Sequence, residues 1–181
     1  MNIARSGVKL FLANAAGAGI QFIGIAYFAR ELGATEMGIF FLFQALLGIL
    51  SVPANFGLRG AVEKRISEGD SPGEYLSTAV LVKSIPALVI SFLIILARGL
   101  VNDYVGADIA IYLSAAIILQ EAARLSIFLL KGELRVGETA VLKLVKQVIW
   151  LSTGILFLKF GLQAEGIIYA LLAGLMVVLI W

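Results

Sequence analysis

The sequence predicts an all-α integral membrane protein, a bundle of six transmembrane helices. Of its 181 residues, 61% are hydrophobic and only 14% are charged, whereas soluble domains are about 45–50% apolar. The mean hydropathy is +1.01. About 20 helical residues at 1.5 Å each match the ~30 Å hydrocarbon core of a bilayer. Apolar runs of that size predict six spans, at residues 8–29, 38–56, 76–97, 109–130, 139–160 and 163–181.

The first two spans are expected to form a helical hairpin. Arg30 and Gly33 follow the first apolar run, and Gly38 opens the second, so a tight turn is predicted between them. Pro53 lies near the inner end of the second span, where its missing N–H and its ring would kink the helix. The mostly charged residues 59–68 then predict an interfacial helix.

The later spans are separated by short polar connections. The sequence Ser71-Pro72-Gly73-Glu74 has the form of a helix cap with proline at the first helical position, so the third helix should begin at Pro72. Pro86 lies inside that helix and is a candidate bending point. Residues 98–107 are expected to form a short connection, with Asp108 as the N-cap of the fourth span. Residues 161–165 turn the chain into the sixth.

The distribution of lysine and arginine predicts the orientation. One set of segments holds seven of these residues and the opposite connections hold three. The seven are Arg5, Lys9, Arg59, Lys64, Arg65, Lys131 and Arg135, and the three are Arg30, Arg98 and Lys159. Because cytoplasmic segments are enriched in positive charge, we expect a multi-pass protein of the cell membrane with a cytoplasmic amino terminus.

The composition excludes several classes of chemistry. The chain has neither cysteine nor histidine, which rules out disulfides, thiol catalysis, histidine-based metal sites and imidazole acid–base catalysis within it. No enzyme activity, metal site or cofactor is predicted. A net charge of +2 could suggest a nucleic-acid partner in a soluble protein. In a membrane protein the position of the positive charges matters more than their sum, so no nucleic-acid partner is predicted.

The first hairpin carries a family resemblance. The pattern Ala29-Arg30-x-Leu32-Gly33-x4-Gly38, followed by Gly57-Leu58-x-x-Ala61, a basic pair and Glu68, resembles the first hairpin of polysaccharide flippases in the multidrug/oligosaccharidyl-lipid/polysaccharide exporter superfamily. The similarity is one of spacing and hydropathy, and it covers the chain loosely. It implies one six-helix lobe of a two-lobed flippase that moves a lipid-linked oligosaccharide across the bilayer by alternating access, with the carboxyl-terminal lobe absent.

The sixth span contains a ridge of small residues. Gly166, Ala170 and Gly174 recur at four-residue intervals, a spacing that lets another helix approach closely. We expect the missing lobe or a second chain to pack there. The patterns Gly33-x4-Gly38 and Gly161-x4-Gly166 also match each other, which hints at duplicated hairpins.

Polar residues in the first two spans are candidate substrate contacts. Asn14, Gly17, Gln21 and Gly24 share one helical face. Either this face packs against another helix with its amides bonded to neighbours, or Asn14 and Gln21 line a hydrated cavity and bind sugar hydroxyls. Gln44, the mid-span amide of the second helix, is a further candidate.

Charged residues inside the spans are the strongest functional signal, because burying them in a membrane is costly. Glu121 and Arg124 lie one helical turn apart and form either a self-neutralising pair or an arginine site tuned by Glu121, which is also the candidate for coupling a proton or sodium ion. Lys83, Lys143 and Lys146 lie in the cytoplasmic thirds of their spans. Either they serve topology alone, with Lys143 reaching the headgroups and Lys146 one turn deeper, or they form, with Arg124, a basic pocket for the pyrophosphate of a lipid-linked oligosaccharide.

Three alternatives stay open at this stage. A multidrug/cation antiporter of the same fold should carry acidic residues in its first helix, which has none. A membrane-embedded glycosyl or prenyl transferase needs paired carboxylates to hold magnesium with a diphosphate, and the acid-containing loops at 63–74 and 103–108 lack an aspartate-rich pair. A non-transporting scaffold leaves the charges inside the spans unexplained.

Overall fold

Six α-helices make up almost all of the described structure. The computed structural model describes residues 3–55, 72–132 and 136–180, with side chains for residues 11–54, 84–131 and 137–180. The helices are α1 (Ile3–Asn55), α2 (Pro72–Leu96), α3 (Arg98–Val105), α4 (Ala110–Gly132), α5 (Val136–Lys159) and α6 (Ala164–Ile180). No strand occurs within these ranges. The predicted all-α class is confirmed, whereas the predicted interfacial helix at residues 59–68 and the cap residue Ser71 lie outside the described residues.

The long apolar helices confirm a membrane protein. Phe11–Ala54, Ala110–Lys131 and Gly137–Lys159 are long and apolar enough to cross a bilayer, and α2 with α3 forms a fourth candidate that bends by 73°. The 44 residues of Phe11–Ala54 extend about 66 Å, which is twice the ~30 Å hydrocarbon core. This stretch is therefore long enough for both spans of the predicted hairpin, while the total of six spans remains a prediction.

Gly33 divides α1 into a first arm (residues 3–32) and a second arm (residues 34–55). Its backbone has φ 77° and ψ −177°, a non-helical conformation inside an otherwise helical segment. This region of backbone space is essentially restricted to glycine. The predicted turn is therefore a single-residue kink, because the residues on both sides of Gly33 are helical. Helical structure also continues through Pro53 and Pro86.

The chain divides into two compact units. The first unit contains α1 up to Gly38, together with α5 and α6. The second contains α1 from Ile39 onward, together with α2, α3 and α4.

In the first unit, aromatic rings of one helix pack on glycines of another. A Cβ atom at Gly24 in α1 would lie 2.6 Å from Cζ3 of Trp150 in α5, and one at Gly154 in α5 would lie 2.6 Å from Cζ of Phe28 in α1. The two rings meet edge to face with centroids 5.2 Å apart. Because the contacts advance in the same direction along both helices, the first arm and α5 run parallel.

The small-residue ridge of α6 is covered by α5. Gly166, Ala170 and Gly174 are all buried. A Cβ atom at Gly166 would lie 3.1 Å from Cβ of Phe157, and one at Gly174 would lie 3.0 Å from the backbone oxygen of Lys146. The expectation of a second lobe or chain on this ridge is corrected, because the small side chains let a neighbouring helix of the same chain approach instead.

In the second unit, α2 and α4 are joined by buried serines. Ser91 Oγ donates a hydrogen bond to the backbone oxygen of Ser114 at 3.1 Å, and the two hydroxyls also contact each other. Apolar side chains surround this contact, with Ala87 and Ile94 on α2 and Leu113 on α4 almost fully buried. A hydroxyl bonded across a helix interface satisfies its polar group without water, so the pair fits a helix contact inside a membrane.

The connection expected at residues 98–107 is mostly helical, and its cap differs from the prediction. α3 occupies Arg98–Val105. Asn102 Oδ1 accepts hydrogen bonds from the backbone N–H groups of Ile109 and Ala110, at 3.1 and 2.9 Å. Asn102 Nδ2 donates to Asp108 Oδ1 at 2.5 Å. Asn102 therefore caps α4 in place of Asp108, because an amide can accept at the helix end and donate to the carboxylate at once.

Candidate functional site

A polar seam, consisting of Asn14, Gln21, Lys143 and Gln147, connects the first arm of α1 to α5. Lys143 Nζ donates to Asn14 Oδ1 at 3.2 Å, and Gln147 Nε2 donates to Gln21 Oε1 at 3.2 Å. Asn14 is exposed and the other three are half-buried. Seven residues separate the pair on α1 and four separate the pair on α5, so each pair lies on one face of its helix.

The seam confirms that Asn14, Gly17, Gln21 and Gly24 share a face. The amides are bonded to a neighbouring helix, which is the geometry that the packing interpretation requires. The ammonium group of Lys143 contacts the exposed Asn14, and its reach to the headgroups stays a prediction. These groups are hydroxyl and phosphate ligands by type, and the alternative role of Asn14 and Gln21 in binding sugar hydroxyls stays a prediction.

The seam occupies only one end of the contact between α1 and α5. From Gly24 onward the two helices are joined by Trp150 and Phe28, which are almost fully buried. The polar contacts involve residues 14–21, and the apolar contacts involve residues 24–28. A ligand at the seam would therefore meet a closed aromatic layer on one side.

The remaining candidate residues have different environments. Lys146 is half-buried, and its Cγ would lie 3.3 Å from a Cβ atom at Gly174, so its stem contacts α6. Gln44 is half-buried in the second arm. Lys83 belongs to α2, but its side chain lies outside the described ones. The predicted basic pocket draws on residues of both units and remains a prediction.

Glu121 and Arg124 form the ion pair that their spacing predicts. Arg124 Nη1 donates to Glu121 Oε1 at 2.6 Å. The side chain of Glu121 is 4% exposed and that of Arg124 is 28% exposed. A charge-assisted hydrogen bond at this distance is among the stronger protein contacts, and it offsets part of the cost of burying the carboxylate.

A small cavity lies next to this ion pair, between α2 and α4. Its volume is about 180 Å³, and its lining consists of Ser84, Ala87, Leu88, Ile118, Glu121, Ala122 and Leu125. Pockets that hold drug-sized ligands measure about 300–1,000 Å³. The cavity is therefore too small for an oligosaccharide and is of a size for a few water molecules or a small ion.

Two polar contacts in the first unit were not anticipated. The first is the hydrogen bond from Gln147 to Gln21, for which the one-turn spacing of Gln147 from Lys143 was the available signal. Glu36 Oε2 accepts a hydrogen bond from the backbone N–H of Ala164 at 3.0 Å, which places a carboxylate at the amino terminus of α6. The matching glycine patterns indicated that the turns at Gly33 and Gly161 are equivalent, and Gly161 does have a positive φ of 82°. No sequence signal, however, paired Glu36 with Ala164.

Comparison with known proteins identifies the family. A family model described as "Polysaccharide biosynthesis protein" matches residues 3–180. The chain is 59% identical over all 181 residues to the probable low-salt glycan biosynthesis flippase Agl15 of Haloferax volcanii, and covers 38% of that protein. Over 79 residues, or 42% of the chain, it is 42% identical to the probable flippase AglR of the same organism, and covers 16% of it.

The chain thus spans well under half the length of these two relatives. No solved structure gives a significant match. The family match extends over almost the whole chain, from the first arm of α1 to the end of α6. On this ground the chain belongs to the polysaccharide biosynthesis protein family.

Proposed function

We propose that this chain is part of a flippase that moves a lipid-linked oligosaccharide or polysaccharide repeat unit across the cell membrane. The observation that carries the proposal is the 59% identity, over every residue of the chain, to a protein named as a probable glycan biosynthesis flippase. The protein acts as a transporter and not as an enzyme. Alternating access moves the substrate without making or breaking a bond, and a second lobe completes the transport pathway.

The polar seam is the proposed contact for the glycan headgroup. A lysine ammonium has three donors, so Lys143 can bind a phosphate or hydroxyl oxygen while it also contacts Asn14. The amides of Gln21 and Gln147 both donate and accept, which matches sugar hydroxyls. Exchange of amide–amide bonds for amide–hydroxyl bonds has little net cost, so the seam can bind and release a substrate.

The Glu121–Arg124 pair is the proposed element for ion coupling. Both residues lie inside a helix that can cross the membrane, where ionisable groups mark substrate or ion pathways. The adjacent cavity has room for water or a small ion beside Glu121. Protonation of Glu121, or binding of a cation to it, weakens its hold on Arg124 and frees the guanidinium for a phosphate. Lys83, Lys146 and Gln44 are proposed as further substrate contacts.

The proposed function can be tested by measuring lipid flipping directly. The full-length protein is reconstituted into vesicles with a fluorescent lipid-linked oligosaccharide. A membrane-impermeant reagent that destroys the fluorophore is added outside, and the total fluorescence is followed over time. With a flippase, lipid from the inner leaflet reaches the outside and nearly all the fluorescence is lost. Vesicles without protein lose only the half that lies in the outer leaflet. Exchange of cations or drugs without movement of the glycan lipid would indicate an antiporter, and no transport of either kind would indicate a scaffold.

Substitution of the basic residues tests the site. Lys143→Gln, Lys146→Gln and Arg124→Gln should each reduce glycan export roughly tenfold or more, because a charged hydrogen bond contributes about 1.5–3 kcal/mol. The matched controls Lys159→Gln and Arg98→Gln, at exposed positions, should leave export unchanged. Export is measured by complementation at equal expression. Undiminished export in all three variants would remove these residues from the substrate path.

A further inference from the structure

The short helix α3 lies between two helices that do not need it to cross the membrane. α2 has 25 residues and α4 has 23, which correspond to about 37 Å and about 34 Å. Each exceeds the ~30 Å hydrocarbon core by itself. α3 bends by 73° away from the end of α2, and three of its eight residues, Arg98, Asn102 and Asp103, are polar. By length, α2 and α4 can therefore each cross the membrane without α3.

The orientation of α3 is held by hydrogen bonds to the start of α4. Gly106 ends the helix with a positive φ of 78°, and its N–H donates to the backbone oxygen of Asn102. The side chain of Asn102 accepts from Ile109 and Ala110. The Asn102 side chain thus joins α3 to backbone groups at the start of α4, which fixes the side of α3 that faces outward.

The outward side of α3 is apolar. Leu100 is 77% exposed and Tyr104 is 69% exposed, and their four-residue spacing places them on one side of the helix. Arg98 and Asn102 lie on the opposite side of the helix, Asp103 lies at the edge of the apolar side, one turn from Leu100, and Val105 is buried. Two large exposed apolar side chains are unfavourable in water, whereas tyrosine is enriched where a membrane meets water. A helix with one apolar side and one polar side lies in that interface.

We propose that α3 is an interfacial anchor, which inserts Leu100 and Tyr104 into the boundary between lipid headgroups and acyl chains on the side of the membrane where α2 ends. The partner is the lipid surface itself. The anchor also sets the depth of α4. Eleven residues separate Ala110 from Glu121, or about 16 Å, which places the Glu121–Arg124 pair near the middle of the bilayer.

The proposal can be tested with spin labels at single cysteines, because these 181 residues contain none and any cysteine elsewhere in the full-length protein is first replaced by serine. Leu100→Cys, Tyr104→Cys and the matched control Arg98→Cys, at an exposed position on the opposite side of α3, are introduced singly into the full-length protein. Each protein is reconstituted into vesicles of equal parts phosphatidylcholine and phosphatidylglycerol. Collision of the label with oxygen, which concentrates in lipid, is compared with collision with a water-soluble nickel chelate. We expect oxygen to dominate at positions 100 and 104 and the chelate to dominate at position 98.

A second measurement covers the case in which a cysteine variant fails to fold. Tyr104→Trp keeps an aromatic ring at the interface, and the extra fluorescence that it adds to the parent protein should be quenched by lipids brominated near the headgroup. Greater quenching by lipids brominated at the chain end would indicate a re-entrant helix and overturn the proposal. Equal access of the chelate to all three labels would place α3 in water. Protection of labels 100 and 104 from both reagents would place that side of α3 against protein. Each of these two outcomes would also overturn the proposal.

Discussion

Gly33 is the residue at which α1 departs from helical geometry. A Cβ atom there would meet nothing within 4 Å, so any cost of adding one comes from the backbone alone. Gly33→Ala should destabilise the protein by about 1–3 kcal/mol, since an alanine is strained at this φ and ψ. Gly38→Ala, at a helical position that is equally open, should stabilise it by up to about 1 kcal/mol. Denaturation in detergent compares the two, and equal effects would show that the kink at Gly33 does not restrict the residue.

For the Glu121–Arg124 ion pair, removing one charge should destabilise the protein more than removing both. Arg124→Gln leaves a buried carboxylate without its ion-pair partner and should cost roughly 3 kcal/mol. The double variant Glu121→Gln/Arg124→Gln removes both charges and should recover most of that loss. A double-mutant cycle with denaturation in detergent measures the coupling. Additive losses would mean that the interaction between the two side chains does not stabilise the fold.

At the scale of elements, the contact between α1 and α5 depends on glycines placed under aromatic rings. Gly24→Ala and Gly154→Ala put a Cβ atom 2.6 Å from the buried rings of Trp150 and Phe28, so each should cost about 1–3 kcal/mol. Gly19→Ala lies on the same helix in open space and should be neutral or stabilising, because alanine favours a helix. Thermal denaturation in detergent tests this contrast. Similar losses in all three variants would count against this packing.

α3 shows why the connection between two spans was difficult to predict. Its eight residues include a glycine and three polar side chains, which by composition suggest a loop. The helix is stabilised instead by the interaction of Asn102 with the start of α4, and by the exposed side that we assign to the lipid interface. Neither partner can be recognised from the composition of the segment.

At the scale of the whole molecule, the distribution of lysine and arginine makes a prediction about topology. If every predicted span crosses the membrane and the amino terminus is cytoplasmic, residues 103 and 163 face outward and residue 137 faces the cytoplasm. Asp103→Cys and Gln163→Cys should react with an impermeant maleimide in intact cells, and Gly137→Cys should react only after lysis. Labelling of positions 103 and 137 from the same side would mean that α4 does not cross the bilayer.

Local features of the sequence were sufficient to predict most of the helices, although not α3. Hydropathy over about 20 residues predicted an all-α membrane protein and placed α2, α4, α5 and α6 within a few residues of their observed ends. One helical turn was enough to predict the contact between Glu121 and Arg124. Such predictions succeed because a helix satisfies its backbone polar groups within one segment, so the information that specifies it lies in adjacent residues.

The partners of the helices were decided only by the tertiary structure. Asn14 contacts Lys143, which lies 129 positions later, the small-residue ridge of α6 meets α5 of the same chain, and Asn102 caps α4 in place of Asp108. A helical pattern shows which face of an element is polar or small, but not which of several similar faces will meet it. That choice depends on the register in which distant helices pack, and the packing is determined by side chains from all of them together.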